Sequence, residues 1–220
     1  MEVQDQIQIE LDGDNHIMTS IETPMRDDAF EKSDDEKIEI IQDAFAVIME
    51  TLGLDLNDDS LKGTPYRVAK MYVKEIFSGL DPKNKPKISV FDNKYGYGKM
   101  LIEKNITLRS SCEHHFLPIS GLAHVGYISS GKVIGLSKIN RIVDYFGQRP
   151  QVQERMTIQI FNELKKELET EDVIVVVDAE HHCVSARGIK DNNSSTVTIE
   201  YGGKFKDPHH RDEFLRLIRD

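Results

Sequence analysis

Residues Val173 to Val177 read Val-Ile-Val-Val-Val, an unbroken β-branched run set between Asp172 and Asp178. A run this short and this uniform is a strand buried on both faces, because a half-solvated strand would alternate with polar side chains. The strand is expected to extend from Asp172 to Val184, which carries it into Glu180-His181-His182-Cys183. Strand alternation then turns His181 and Cys183 to one face and His182 to the other.

The remaining pattern divides the chain in three. Residues 1–33 are acidic and polar with no sustained period, and read as a mobile tail. Residues 34–86 form a helical region. Ser33-Asp34-Asp35-Glu36 is a capping box, followed by Ile38, Ile41, Phe45, Ile48, Met49 and Leu52 at helical spacing. Thr64-Pro65 places an N-cap before a proline, opening a second helix toward Gly79. Residues 87–220 form the core. Strands are expected at 87–91, at 100–109 with Ile102, Lys104, Ile106 and Leu108 on one side, at 122–129 and at 196–201. A helix capped by Ser137, a longer one from 152 to 168 and a closing one from 207 to 219 complete the order. Strands, two helices, then strands predict an α+β fold with a mostly antiparallel sheet.

The chain has 220 residues and a formal net charge of -10, which opposes binding to nucleic acid. No apolar stretch reaches the roughly 20 residues that span a bilayer, and the acidic N-terminus does not read as a signal peptide. The expectation is a soluble cytoplasmic protein.

The only two cysteines, Cys112 and Cys183, both have histidine neighbours. In a reducing compartment that favours metal ligation over a disulfide. Cys112 and His115 are three apart, so a tight turn lets both reach one ion. Cys183 supplies a third ligand, leaving one position for water, as in catalytic zinc sites. His114 and His181 are the acid/base groups at hand, although His114 suits an orienting role equally well. Gly135-Leu136-Ser137-Lys138-Ile139-Asn140-Arg141 combines a helix start with two cations, which suits a phosphate; Arg187 and Lys190 can add to the same cleft. Gln153-Glu154 opens the long helix. Its carboxylate is either a first-turn acid or an acceptor for a guanine-like edge, and spacing leaves both open. Glu113 has no assigned role.

The strings Ser111-Cys112-Glu113-His114-His115-Phe116, Gly135 to Arg141, Gln148-Arg149-Pro150-Gln151-Val152-Gln153-Glu154-Arg155 and His181-His182-Cys183 closely resemble the GTP cyclohydrolase I family, in family order. The match runs from about residue 36 to the C-terminus. The resemblance implies a tunnelling fold assembled as a homodecamer of two stacked pentamers, with active sites at subunit interfaces. It implies conversion of GTP to 7,8-dihydroneopterin triphosphate with release of formate, the first step toward tetrahydrofolate or related pterins. On the same basis Cys112, His115 and Cys183 would hold Zn2+, and His114 and His181 would move protons. Glu154, helped by Gln153, would grip guanine, while Ser137, Lys138, Arg141 and Arg187 would meet the ribose and triphosphate. A related tunnelling-fold synthase would want only histidines on its zinc, and the related reductase a nucleophilic cysteine with a nicotinamide cofactor. A zinc deaminase would need His-x-Glu with Pro-Cys-x-x-Cys, which this chain lacks. A metal-stabilised binding module would want a fourth protein ligand.

Overall fold

A computed structural model describes residues 20–219. The part of the predicted tail at 1–19 lies outside the described residues. Residues 20–33 lead into helix α1 (Asp34–Thr51). The capping box forms as expected: the Ser33 hydroxyl accepts from the Glu36 N–H at 3.3 Å, and the Glu36 carboxylate accepts from the Ser33 N–H at 2.7 Å. Only Ile38 and Met49 of this helix are buried, while Ile48 and Leu52 stay 50% and 73% exposed. Ile41 and Phe45 are half-buried, so the predicted apolar stripe is only partly covered within one chain.

Helix α2 (Thr64–Met71) begins one residue earlier than expected, with Gly63 at the cap. Thr64 is inside the helix, and its hydroxyl accepts from Arg67 Nη2 at 2.8 Å. The helix widens into a π-turn at Tyr72–Ile76 and then tightens to reach Gly79. A β-carbon on Gly79 would lie 2.1 Å from the Tyr145 carbonyl, so that approach requires glycine.

Short strands β1 (Val90–Asp92) and β4 (Lys132–Ile134) pair with each other. The main sheet has the order β5-β2-β3-β6-β7, formed by β2 (Met100–Cys112), β3 (Pro118–Ile128), β5 (Pro150–Gln151), β6 (Val173–His181) and β7 (Thr196–Tyr201). All neighbours run antiparallel except β2 and β5. Helices α3 (Leu136–Gly147) and α4 (Gln153–Leu168) pack against the sheet between β4 and β6, as the element order predicted. A closing helix, α5 (Pro208–Ile218), is capped by Asp207.

The β6 run is buried on both faces. Val173, Val175 and Val177 join the main core with Ile139, Met156, Ile160 and Leu164, whereas Ile174 and Val176 pack with Phe205 and Phe214. The strand stops at His181 rather than Val184, and His182–Ser185 form a helical turn. Pairing to β3 ends at Ile119↔His181, and the preceding Pro118 has no N–H with which to extend the ladder.

Strand β2 also departs from simple alternation. Its register shifts between Glu103 and Ile106, and Asn105 adopts φ 59°, a conformation asparagine tolerates. Met100 and Ile102 consequently pack with Phe205 and Phe214, while Ile106, Leu108 and Cys112 enter the main core. The expected single face of Ile102, Lys104, Ile106 and Leu108 is split by this bulge.

The bulge amide of Asn105 donates to Nδ1 of buried His124 at 3.3 Å. Burial holds the His124 pKa below its ordinary value; Asp178 opposes this and Lys104 reinforces it. A histidine with a depressed folded pKa contributes stability above its unfolded value of about 6.5, and that stability is lost as the pH falls toward the folded value. The melting temperature is therefore expected to fall on acidification below about pH 6.5, and to fall less in His124→Gln. Identical slopes in the two proteins would rule out this assignment. Among the described residues no helix is long and apolar enough to cross a membrane.

Candidate metal centre

Cys112 is the last residue of β2, and its burial at the end of that strand fixes where its thiol points. A tight loop follows. The Cys112 N–H donates to the Leu117 carbonyl and the Phe116 N–H to the Cys112 carbonyl, both at 2.8 Å, with Phe116 at φ 53°. This fold-back sets the Cys112 sulfur 4.0 Å from His115 Nδ1 and 3.6 Å from His114 Nδ1. The helical turn after β6 brings in Cys183. Ligand atoms of Cys112, His115 and Cys183 all lie within 4.8 Å of one another. Around tetrahedral zinc, with bonds of about 2.3 Å to sulfur and 2.0 Å to nitrogen, such atoms sit roughly 3.5–3.8 Å apart. A small contraction is all the cluster needs.

The electrostatics fit a cation. Burial, and then the neighbouring Cys112 sulfur, push the Cys183 thiol above its ordinary value. A divalent ion between the two sulfurs reverses both effects, since it favours thiolates. Two sulfurs and one imidazole suit zinc. Among the described residues the cluster has three members, and His114 is not one of them.

His181 stands at the end of β6 beside this cluster, with Nε2 2.8 Å from Gln153 Oε1. The Gln153 amide nitrogen is committed to the carbonyls of Val177 at 3.1 Å and Thr196 at 2.8 Å, and to the Thr198 hydroxyl at 3.1 Å. That fixes the orientation of the amide, so its oxygen faces His181 and the imidazole proton resides on Nε2. Nδ1 keeps its lone pair. Burial lowers the His181 pKa, partly offset by Glu154. Glu154 is exposed in the first turn of α4, next to buried Gln153. The structure thus commits Gln153 to internal bonds, while the Glu154 side chain is open to solvent.

Arg187 reaches the cluster, with Nη1 2.8 Å from His115 Nε2. Ser137, Lys138 and Arg141 do not. Gly135 occupies the N-cap of α3 with no side-chain cap, so Ser137 lies within the first turn instead of capping it. That end of α3 is tied to Glu103 by Asn140 Nδ2 at 3.2 Å, whereas Cys112 is at the other end of β2. At about 3.3 Å per residue, Glu103 and Cys112 are roughly 30 Å apart along the strand. Arg187 and the α3 cations are therefore not in one cleft of one chain. His182 opens the helical turn after β6, so strand alternation does not govern its direction.

Two partnerships were not expected from the sequence. Gln153 holds His181, and the carboxylate of Glu113 pairs with buried Arg155. Neither spacing nor composition points to them, because both join residues separated by whole elements.

The sequence profile described as GTP cyclohydrolase I matches residues 41–219. Similar curated proteins carry the name GTP cyclohydrolase 1. That of Flavobacterium johnsoniae is 63% identical over 207 residues, covering 94% of this chain and 93% of its own. That of Vibrio parahaemolyticus is 54% identical over 200 residues, covering 90% and 91%. That of Citrobacter koseri is 52% identical over 204 residues, covering 92% of each.

Proposed function

We propose, starting from the premise that this chain belongs to the GTP cyclohydrolase I family, that it opens the imidazole ring of GTP at a zinc held by Cys112, His115 and Cys183. The products are formate and 7,8-dihydroneopterin triphosphate, in a cytoplasmic route to tetrahydrofolate or related pterins. The observation that carries the reading is the three-ligand cluster, with His181 held by Gln153 just before Cys183 and the exposed carboxylate of Glu154 next to Gln153. Zinc held there would supply Lewis acidity, lowering the pKa of a water to about 7.

The chain's own groups do the rest. Nδ1 of His181 accepts a proton, since its other nitrogen is held by Gln153. His114, on the exposed loop, exchanges protons with the purine or ribose. Glu154 accepts the two N–H donors of guanine, and adenine would leave that carboxylate unpaired. Gln153 assists through His181 rather than at the base. A metal on His115 and a hydrogen bond from Arg187 to its Nε2 exclude each other: with the metal on Nδ1, Nε2 carries the proton and cannot accept. Arg187 is then released toward the substrate phosphates.

Ser137, Lys138 and Arg141 meet the triphosphate from a neighbouring subunit, because they lie too far from Cys112 in their own. This agrees with a tunnelling-fold homodecamer. The uncovered apolar side chains of α1 also favour assembly. Incubation with GTP is expected to release formate and, after oxidation, a fluorescent pterin. The absence of both from zinc-loaded protein would reject the function.

A further inference from the structure

Glu113 lies between two members of the metal cluster, yet no step above uses it. Its carboxylate takes both terminal nitrogens of Arg155 in a fork, with Nη2 at 3.4 Å. Arg155, in the first turn of α4, is only 4% exposed. A guanidinium so buried is costly unless it is hydrogen-bonded, and its third nitrogen is engaged too: Nε donates to the Ser20 carbonyl at 2.8 Å. One turn along α4, buried Gln159 donates to the Ile21 carbonyl at 2.9 Å and accepts from Gln151 at 2.9 Å. The Gln151 carbonyl in turn accepts from the Glu113 N–H at 3.0 Å. The circuit closes on the metal loop, and the backbone of Ser20 and Ile21 hangs from it. Thr23, Pro24 and Met25 then form one wall of a cleft whose other wall is Glu113, His114 and Phe116.

We propose that Arg155 is a positioning residue: through Glu113 it fixes the loop that carries Cys112 and His115, and the backbone at Ser20–Ile21 braces it from behind. Metal retention and the seating of the N-terminal segment are thereby coupled. A bidentate fork suits this task because it sets orientation as well as distance, which a lysine cannot do. The proposal rests on the zinc reading above.

The test uses full-length, zinc-loaded protein. Zinc release into a chelating dye, amide hydrogen exchange at residues 21–25 and the melting temperature are compared in wild type, Glu113→Gln, Glu113→Asp and Arg155→Lys. Glu113→Gln is expected to release zinc about tenfold faster or more. Exchange at 21–25 should accelerate as well, although Glu113 does not bond those residues. Glu113→Asp, which keeps the charge, should recover most of both effects. Arg155→Lys, which loses the fork, should follow Glu113→Gln. Zinc release at the wild-type rate in Glu113→Gln and Arg155→Lys overturns the proposal, as does faster release with exchange at 21–25 unchanged. Wild-type protein that takes up no zinc overturns the metal reading and this proposal together, whereas loaded wild type with unaffected variants overturns this proposal alone.

Discussion

Cys183→Ala is expected to leave the purified chain with little zinc and GTP turnover at background. Four-ligand zinc sites release about 10–16 kcal/mol on binding, so each ligand is worth about 2.5–4 kcal/mol, or about 10²–10³-fold in affinity. A cluster of three has less to spare, and the loss removes one of only two thiolates. The fold should survive. Cys183 lies in a helical turn after the last sheet pairing of β6, and its side chain is only partly buried against the core. Metal analysis, circular dichroism and formate release separate the possibilities. A folded variant with full zinc content would remove Cys183 from the ligand set.

Glu154→Ala is expected to lower kcat/KM for GTP by about 10²–10⁴-fold while zinc content stays at the wild-type level. Two hydrogen bonds from guanine to a carboxylate are charge-assisted, at about 1.5–3 kcal/mol each. The side chain of Glu154 is exposed, and its loss also removes the charge that partly offsets burial at His181, so a pH profile belongs beside the turnover measurement. Gln153→Ala is not a clean control, because removing its buried amide abandons three acceptors and frees His181. Turnover that survives in Glu154→Ala would dismiss the guanine role.

What could be read from sequence follows the range of each interaction. The capping box at Ser33, the helix from 153 to 168 and the buried run of β6 depend on neighbours within a few residues, and all three appear where expected. The metal cluster was legible because its members are rare residue types in a recognisable string. The end of β6 was not, because it depends on Pro118 in the partner strand. The bulge at Asn105 was missed for a similar reason: an asparagine in an otherwise alternating strand looks like any solvent-facing residue. Glu113 remained unexplained until Arg155 was seen beneath it, forty-two positions along the chain.

That bulge does more than bend a strand. Before it, odd-numbered side chains such as Leu101 face the main core; after it, even-numbered ones do, through Ile106 and Leu108 to Cys112. The strand therefore carries a half-period phase shift, and the Cys112 thiol inherits its direction from a residue seven positions away. Deleting the extra residue at the bulge would straighten the strand and leave Leu101 and Cys112 on one face, whereas one residue deleted between Ile106 and Cys112, with the bulge kept, would turn the later side chains over and point Cys112 away from His115 and Cys183.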